Sequence, residues 1–300
     1  MSQVVGDLTG LTPPVVVACS GGPDSLALLI CAVDAGLEPI AVHVDHGLRA
    51  ESAADADVVR AVAGELGVAS RSVAVHVEGG GNREAKARAA RYAALERARA
   101  ELGATAILVA HTADDQAEPV LLNLLRGAGS AGLAGMPARR GTIVRPLLGE
   151  RRDAVRKLVA DRGFVAVNDP TNDDLVHRRN WVRHQVLPIL SEGAHRDLVP
   201  ILNRQAALLR AESDLMDELA DALLETAGAS MPSTRVLAAA HPVLARRAIR
   251  RWLGSPPPSL AEVDRVLAVV RHECQAAELG RGRRVWRTAG TLHQAVPWRP

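Results

Sequence analysis

Pro14-Val15-Val16-Val17-Ala18-Cys19-Ser20-Gly21-Gly22-Pro23-Asp24-Ser25 is a β-branched run followed by two glycines, a proline and an acid set between serines. The run over 14–19 predicts a buried strand, and the apolar stretch from Ser25 to about Gly36 predicts a helix directly behind it. Glycines allow tight turns and let backbone N–H groups approach a phosphate, and the helix offers the positive end of its dipole. Ser20 and Ser25 add hydroxyl donors, and Asp24 is a candidate magnesium ligand. The Gly-Lys-Ser/Thr ending of a Walker A loop is absent. A plain strand-to-helix turn capped by Ser or Asp would use some of these residues. The whole stretch 20–25 points instead to a phosphate cradle.

Outward from this stretch the alternation repeats. Residues 40–44 predict a second strand and 51–66 a second helix; 72–75 predict a weaker strand and 82–102 a long charged helix. Residues 106–110 predict another strand, which runs into a helix ending near Arg126. Strands alternating with helices predict an α/β fold, a doubly wound parallel sheet covered on both faces. Ligands of such sheets sit beyond the carboxyl ends of the strands, so chemistry is expected in the loops after Cys19, Val44 and Ala110. Residues 127–141, rich in Gly and Ala, predict a mobile loop. A strand near Ile143 and a helix over 150–162 follow. Helices are then expected over 197–227, 241–253 and 260–274, and 283–293 predict a hairpin turning at Ala289-Gly290. The alternation gives way to helices near residue 190, which predicts two domains, 1–190 and a mostly helical 191–300.

Composition sets the class. The chain is 48% hydrophobic and 23% charged, which describes a globular protein, and aromatics at 2% leave Val, Leu, Ile and Ala to build the core. Cys19, Cys31 and Cys274 form no CxxC pair, so neither a zinc knuckle nor an iron–sulfur site is legible and a reducing cytoplasmic setting is expected. The first residues show no secretory pattern, and no apolar run reaches membrane-spanning length. Net charge is +2, yet residues 236–300 hold eleven arginines against four acids. A basic end on a mildly acidic body predicts a polyanionic partner, although arginine is frequent throughout the chain.

Further motifs stand at the expected strand ends. His43-Val44-Asp45-His46-Gly47-Leu48-Arg49 follows the second strand, and Ala87-Arg88-Ala89-Ala90-Arg91-Tyr92 lies on the long helix. His111-Thr112-Ala113-Asp114-Asp115-Gln116-Ala117-Glu118 follows the strand ending at Ala110, and Asp169-Pro170-Thr171-Asn172 leads into Arg179-Asn180-Trp181-Val182-Arg183. The 20–25 loop resembles the pyrophosphate loop of the N-type ATP pyrophosphatases. The whole set, in this order, resembles the tRNA(Ile)-lysidine synthetase family over roughly the first 190 residues. Residues 244–253 and the Gly-Arg-rich tail resemble that family's C-terminal domain more weakly.

The resemblance implies a Rossmann-like fold of the PP-loop ATPase type. It also implies ligation of lysine to the wobble cytidine of the CAU-anticodon isoleucine tRNA, with ATP and Mg2+ consumed or required and AMP and pyrophosphate released. By the same resemblance Ser20, Gly21, Gly22, Pro23, Asp24, Ser25, His43, Arg88 and His111 would meet ATP, with Asp24 on the metal. Asp114, Asp115 and Glu118 would meet lysine, and Asp24, Arg88, Asp115 and Glu118 would form the catalytic set. The expected partners are ATP, L-lysine and tRNA, with no membrane and with homodimerisation left open.

Each motif also has a plainer reading. Arg88 and Arg91 sit among Glu84, Lys86 and Glu96, where i,i+4 pairing describes an ordinary solvated helix face. Asp114, Asp115 and Glu118 can flank one site on a helix, but Thr112-x-x-Asp115 also fits an N-terminal cap. Pro119 stands where the family usually has Thr. Proline beyond the first turn of a helix costs about 3 kcal/mol, so the helix is expected to start near Asp115 with its acids angled differently from the family's. Arg178, Arg179, Arg183 and His184 form a basic cluster, and Trp252 and Trp286 are embedded in arginines. Arginine contacts phosphate and tryptophan stacks on unpaired bases, so Arg179, Arg183, Arg246, Arg247, Arg250 and Arg251 are candidates for tRNA; solvated arginines and core tryptophans would look the same. Three rivals stay in play: a tRNA cytidine thiolase-like enzyme of the same class, for which CxxC pairs would be expected; a small-molecule amidotransferase or synthetase of that class, which would not need a basic helical C-terminal domain; and a non-catalytic nucleotide-binding sensor.

Overall fold

The computed structural model describes residues 7–45, 52–76, 83–167 and 178–295. Of the motifs above, 46–49 and 169–172 lie outside the described residues. The chain forms two compact units, Met1–Leu209 and Arg210–Pro300, which divide inside a long helix, Val199–Ala227 (α9).

The first unit is built on β1 (Val15–Ala18), β2 (Pro39–Asp45), β3 (Ala69–Ala74), β4 (Ala106–Leu108), β5 (Arg139–Arg140) and β6 (Ile143–Val144). They form one sheet in the order β3-β2-β1-β4-β6-β5, parallel except for β5. β1 lies inside the sheet because its valines are apolar on both faces. Val15 and Val17 join Leu26 and Leu29 of α1 (Pro23–Asp34), Val59 of α2 (Ser52–Glu65) and Val155 of α6 (Arg152–Asp161). Val16 points the other way, to Leu95 and Ala98 of α3 (Arg83–Glu101). The sheet is thus doubly wound as its alternation predicts. Its order runs outward in opposite senses from β1 and β4, which opens a crevice at their carboxyl ends.

Two expectations are corrected. The helix after β4, α4, starts at Ala113 and runs to Leu125, so Pro119 lies in its second turn. Thr112 is the reason: its backbone N–H and hydroxyl both donate to the Asp115 carboxylate at 2.9 Å, closing a capping box that fixes the start two residues early. The stretch expected to be a mobile loop carries a short helix, α5 (Ser130–Leu133), and the strand β5, while β6 is the strand expected near Ile143. It is bonded to α4: Asn123 donates to the Gly132 carbonyl at 2.7 Å, and Gln116 bonds both backbone groups of Met136.

Beyond α6, α7 (Arg178–Trp181) passes through a π-helical turn, Val182–Val186, into α8 (Leu187–Gly193). In the second unit α10 (Thr234–Ala239), α11 (Pro242–Leu253) and α12 (Leu260–Val270) pack Leu237, Ile249 and Val266 with Val285 and Leu292 of a small sheet. That sheet, β7 (Ala276–Glu278), β8 (Arg284–Thr288) and β9 (Thr291–Ala295), contains the expected hairpin, with Ala289 and Gly290 at φ 50° and 79°. α12 ends at Val270, short of the expected 274, and β7 begins soon after. Among the described residues no helix is long and apolar enough to cross a membrane.

Candidate active site

The loop between β1 and α1 is held by its own serines. Ser25 donates to the Gly22 carbonyl at 2.9 Å and accepts from the Ser20 backbone N–H at 3.2 Å, while the two hydroxyls lie 3.3 Å apart. Gly21 has φ +82°, and a side-chain carbon there would lie 2.9 Å from Val167, so only glycine fits. Gly22 caps α1 without a side-chain bond, and Pro23 occupies the first turn, where its missing N–H is of no consequence. The result is a rigid, open helix N-terminus at the floor of a cleft of about 1210 Å³.

Opposite the loop lies a corner of buried charge. Arg152 reaches three carboxylates: Asp115 at 2.6 Å, Glu118 at 3.6 Å and Asp24 at 3.8 Å. Arg183, carried by the π-helical turn, donates through Nε to Glu118 at 2.7 Å and through Nη2 to Asp115 at 3.1 Å. Glu118 is nearly fully buried, and burial pushes its carboxyl above the usual range despite Arg183. Asp24 is pushed up to about 6, by burial first and then by the neighbouring Asp115 charge. Burial acts on Asp115 in the same direction, but Arg152, the Thr112 N–H and Arg183 outweigh it and hold the carboxyl low. One oxygen of Asp24, Oδ1, is buried with no hydrogen-bond partner.

The remaining walls carry the other predicted residues. His43 donates through Nδ1 to the Cys19 carbonyl at 3.0 Å, which fixes its ring at the end of β2. His111 is held near pKa 4, chiefly by burial and with help from Arg145, Arg88 and Arg91, and so is neutral at pH 7. Arg88 and Arg91 lie over the Tyr92 ring at 5.1 and 5.5 Å and make no ion pair among the described residues, so their cations face the cleft. Arg179 lines it as well.

The structure therefore brings together the 20–25 loop, His43, Arg88, His111, Asp115, Glu118, Arg179 and Arg183. It does not bring Asp114 into the group. Asp114 accepts from Arg151 at 3.1 and 3.2 Å and from the backbone N–H of Arg152 at 2.8 Å, so it anchors the start of α6. Sequence reasoning missed Arg152 and Arg156, which both line the cleft. Their i,i+4 spacing, which puts two cations on one face of α6, was the available signal.

In the second unit, three of the four candidate arginines of α11 are already engaged. Arg246 donates to Asp264 at 2.7 Å, Arg247 to Asp217 and to the Ser213 hydroxyl at 2.5 Å each, and Arg251 to both oxygens of Asp221 at 2.5 Å. Arg250 makes no ion pair among the described residues.

Comparison with known proteins adds an independent line. A PP-loop domain model matches residues 5–190. The tRNA(Ile)-lysidine synthase of Mycolicibacterium paratuberculosis is 46% identical over 79% of this chain and 73% of its own length. That of Salinispora arenicola is 40% identical over 96% and 92%. Among solved structures, the U34-tRNA thiolase NcsA from Methanococcus maripaludis aligns with a TM-score of 0.58 at 20% identity, covering 69% of this chain and 76% of that one. That last likeness concerns the fold alone.

Proposed function

The chain belongs to the tRNA(Ile)-lysidine synthase family of PP-loop proteins, and from that premise we propose that it ligates lysine to the wobble cytidine of the CAU-anticodon isoleucine tRNA in the cytoplasm, converting ATP to AMP and pyrophosphate. The observation that carries the reading is that one cleft holds both a phosphate-sized helix N-terminus and a buried acid corner, joined by Arg152.

ATP lies with its phosphates over the 20–25 loop, where backbone N–H groups and the α1 dipole meet the charge. Arg88, Arg91 and Arg156 face the same space and neutralise charge that builds on the departing pyrophosphate. Asp24 fits a magnesium ion: its orphaned Oδ1 is a hard oxygen ligand, and magnesium takes one or two carboxylates with substrate phosphates rather than a full protein cage. Among the described residues no cluster of three or more His, Cys, Asp or Glu could form such a cage. Bound there, the ion would supply charge neutralisation of the phosphates.

The C2 oxygen of the cytidine attacks the α-phosphorus, the bond to pyrophosphate breaks, and the base is held as an adenylate. The lysine ε-amine then attacks C2 and AMP leaves with the C2 oxygen. The amine reaches the cleft as an ammonium, which Asp115 and Glu118 hold. Glu118, whose carboxyl sits above its usual range, accepts the proton that the amine must lose. Positioning and charge neutralisation do the rest. Arg179 and Arg250 meet tRNA phosphates, while Arg183 holds the acid corner and Arg246, Arg247 and Arg251 hold the surface that presents Arg250. Homodimerisation completes the proposal; Leu215 and Leu219 are exposed one helical turn apart on α9 in the second unit and supply apolar surface for it, which sedimentation at two concentrations tests.

Incubation with ATP, labelled lysine and the CAU-anticodon isoleucine tRNA tests the activity. Label entering the RNA in step with AMP release supports it. Pyrophosphate release without label in RNA overturns the ligation and leaves a nucleotide-using enzyme with another acceptor.

A further inference from the structure

Beside the main cleft lies a second cavity, about 200 Å³, lined by His111, Asp115, Glu118, Pro119, Met136 and Arg183 among others. It is smaller than the roughly 300–1,000 Å³ of sites that take drug-sized ligands, so a nucleotide does not fit while an amino-acid side chain does. Its lining is polar except for two residues, Pro119 and Met136. Pro119 is placed there at some cost to its helix.

Met136 sits in the glycine-rich stretch after α5, where nothing local dictates a conformation. It is nevertheless bolted down. The Gln116 side chain, itself buried, accepts from the Met136 N–H at 2.7 Å and donates to the Met136 carbonyl at 2.9 Å. The residue before it, Gly135, has φ +63°, and a side-chain carbon there would lie 2.8 Å from the Gln116 amide, so glycine is required for the approach. Two residues further on, Arg145 holds the carbonyls of Pro137 and Ala138 at 2.8 Å. A buried amide that grips both backbone groups of one residue fixes the point from which that residue's side chain starts. Pro119 supplies the other apolar part of the lining from the second turn of α4, a position where proline costs about 3 kcal/mol of helix stability.

We propose that Met136 and Pro119 are the walls of a length gauge: they pack the methylene stem of an unbranched cationic amino acid whose amine end is held by Asp115 and Glu118. The inference rests on the assignment of Asp115 and Glu118 to the lysine amine. Carboxylates alone do not distinguish one aliphatic amine from another; stem length is read only by apolar surface at a fixed distance from the charge. Met136 supplies that surface because its backbone cannot shift, and its thioether chain is long enough to follow a stem. The effect on selectivity is that of one methylene gained or lost in an apolar pocket, about tenfold or more.

The test uses the full chain with ATP and the isoleucine tRNA, and compares kcat/KM for lysine with that for ornithine and homolysine, one methylene shorter and longer. Met136→Ala is expected to raise KM for lysine more than KM for ATP and to shift the lysine-to-homolysine ratio about tenfold toward homolysine, with Met136→Leu restoring most of the preference. Should the alanine variant not fold, Met136→Val reads the same ratio with a smaller shift. An unchanged length ratio in a folded alanine or valine variant overturns the gauge. Glu118→Gln separates this failure from that of the underlying assignment. If Glu118→Gln raises KM for lysine while the length ratio stays fixed in the Met136 variants, only the gauge is wrong. If Glu118→Gln also leaves KM for lysine unmoved, the amine is held elsewhere and both fall.

Discussion

Two clusters in this molecule set arginine against carboxylate, and they are built to opposite ends. On α11, Arg246, Arg247 and Arg251 each find a matching acid, and Arg247 and Arg251 hold Asp217 below its usual range against the opposing effect of burial. Asp217 and Arg251 are both favoured in their charged forms, as a structural ion pair requires. In the cleft, Arg152 is shared among Asp24, Asp115 and Glu118, and burial outweighs the arginines for two of the three: Asp24 is pushed up to about 6 and Glu118 is raised, Asp115 alone is held low, and Asp24 Oδ1 has no hydrogen-bond partner. Structural pairs are satisfied and sites are not, because a site keeps capacity for a charge that arrives later.

The sharpest way to break the contrast is Asp24→Asn. Pyrophosphate release should fall by about 10²-fold or more, as for loss of a preorganised charge at the reacting phosphate. The fold should not suffer. With a folded pKa above the unfolded value, the wild-type carboxyl favours the native state only when protonated, and that contribution is lost as pH rises through about 6. Removing the charge should therefore leave Tm at pH 7 equal or higher, with the gap closing below pH 4. A variant that unfolds more easily at pH 7 would place Asp24 among the structural pairs. The same sign gives a second readout: apparent Mg2+ affinity should weaken as pH falls through about 6, when Asp24 takes up its proton.

Glu118→Gln comes next. An ammonium that loses a charged acceptor forfeits about 1.5–3 kcal/mol, so KM for lysine should rise about 10- to 100-fold with far less change in KM for ATP. A drop in thermal stability with KM for lysine unchanged would mean that Glu118 serves only to hold Arg183. Arg247→Ala probes the other cluster and should show the mirror image. Loss of its bonds to Asp217 and Ser213 should cost about 1–3 kcal/mol in denaturant unfolding, with turnover little changed in the folded fraction.

The contrast also explains what could be read from the sequence. The 20–25 loop was legible because its chemistry is local: glycine, serine and a helix start, all within six residues. The sheet was legible because three adjacent valines serve two faces at once. The start of α4 was misjudged because the cost of Pro119 was weighed without the closed capping box of Thr112 and Asp115, which fixes the helix start regardless. Arg152 gave only a faint local sign, its i,i+4 spacing from Arg156, because its partner Asp115 lies 37 residues away. The loop after α5 was read as mobile from its glycines, while what fixes it, Gln116, belongs to another element. The charge count erred in a simpler way. It divided the chain at residue 235 and so counted Asp217 and Asp221 apart from Arg247 and Arg251, the very residues that neutralise them.

That miscount leaves the smallest effect and the finest test. If three of the four α11 arginines are spent on ion pairs, the basic excess available to RNA is much less than the sequence total, and Arg250 is the one left with capacity for a phosphate. Arg250→Ala should then lower the log–log salt dependence of tRNA binding by roughly 0.7–0.9, the share of a single contact, and should leave folding stability unchanged because no ion pair is lost. Arg247→Ala should do the reverse, lowering stability while leaving the salt slope of the folded protein alone. The two substitutions remove the same charge from the same helix three residues apart, so a general electrostatic effect would move both slopes equally. An equal change would mean that the ion pairs on α11 open when RNA binds. No change in either would shift recognition to Arg179 in the first unit, where loss of slope on Arg179→Ala would then be expected.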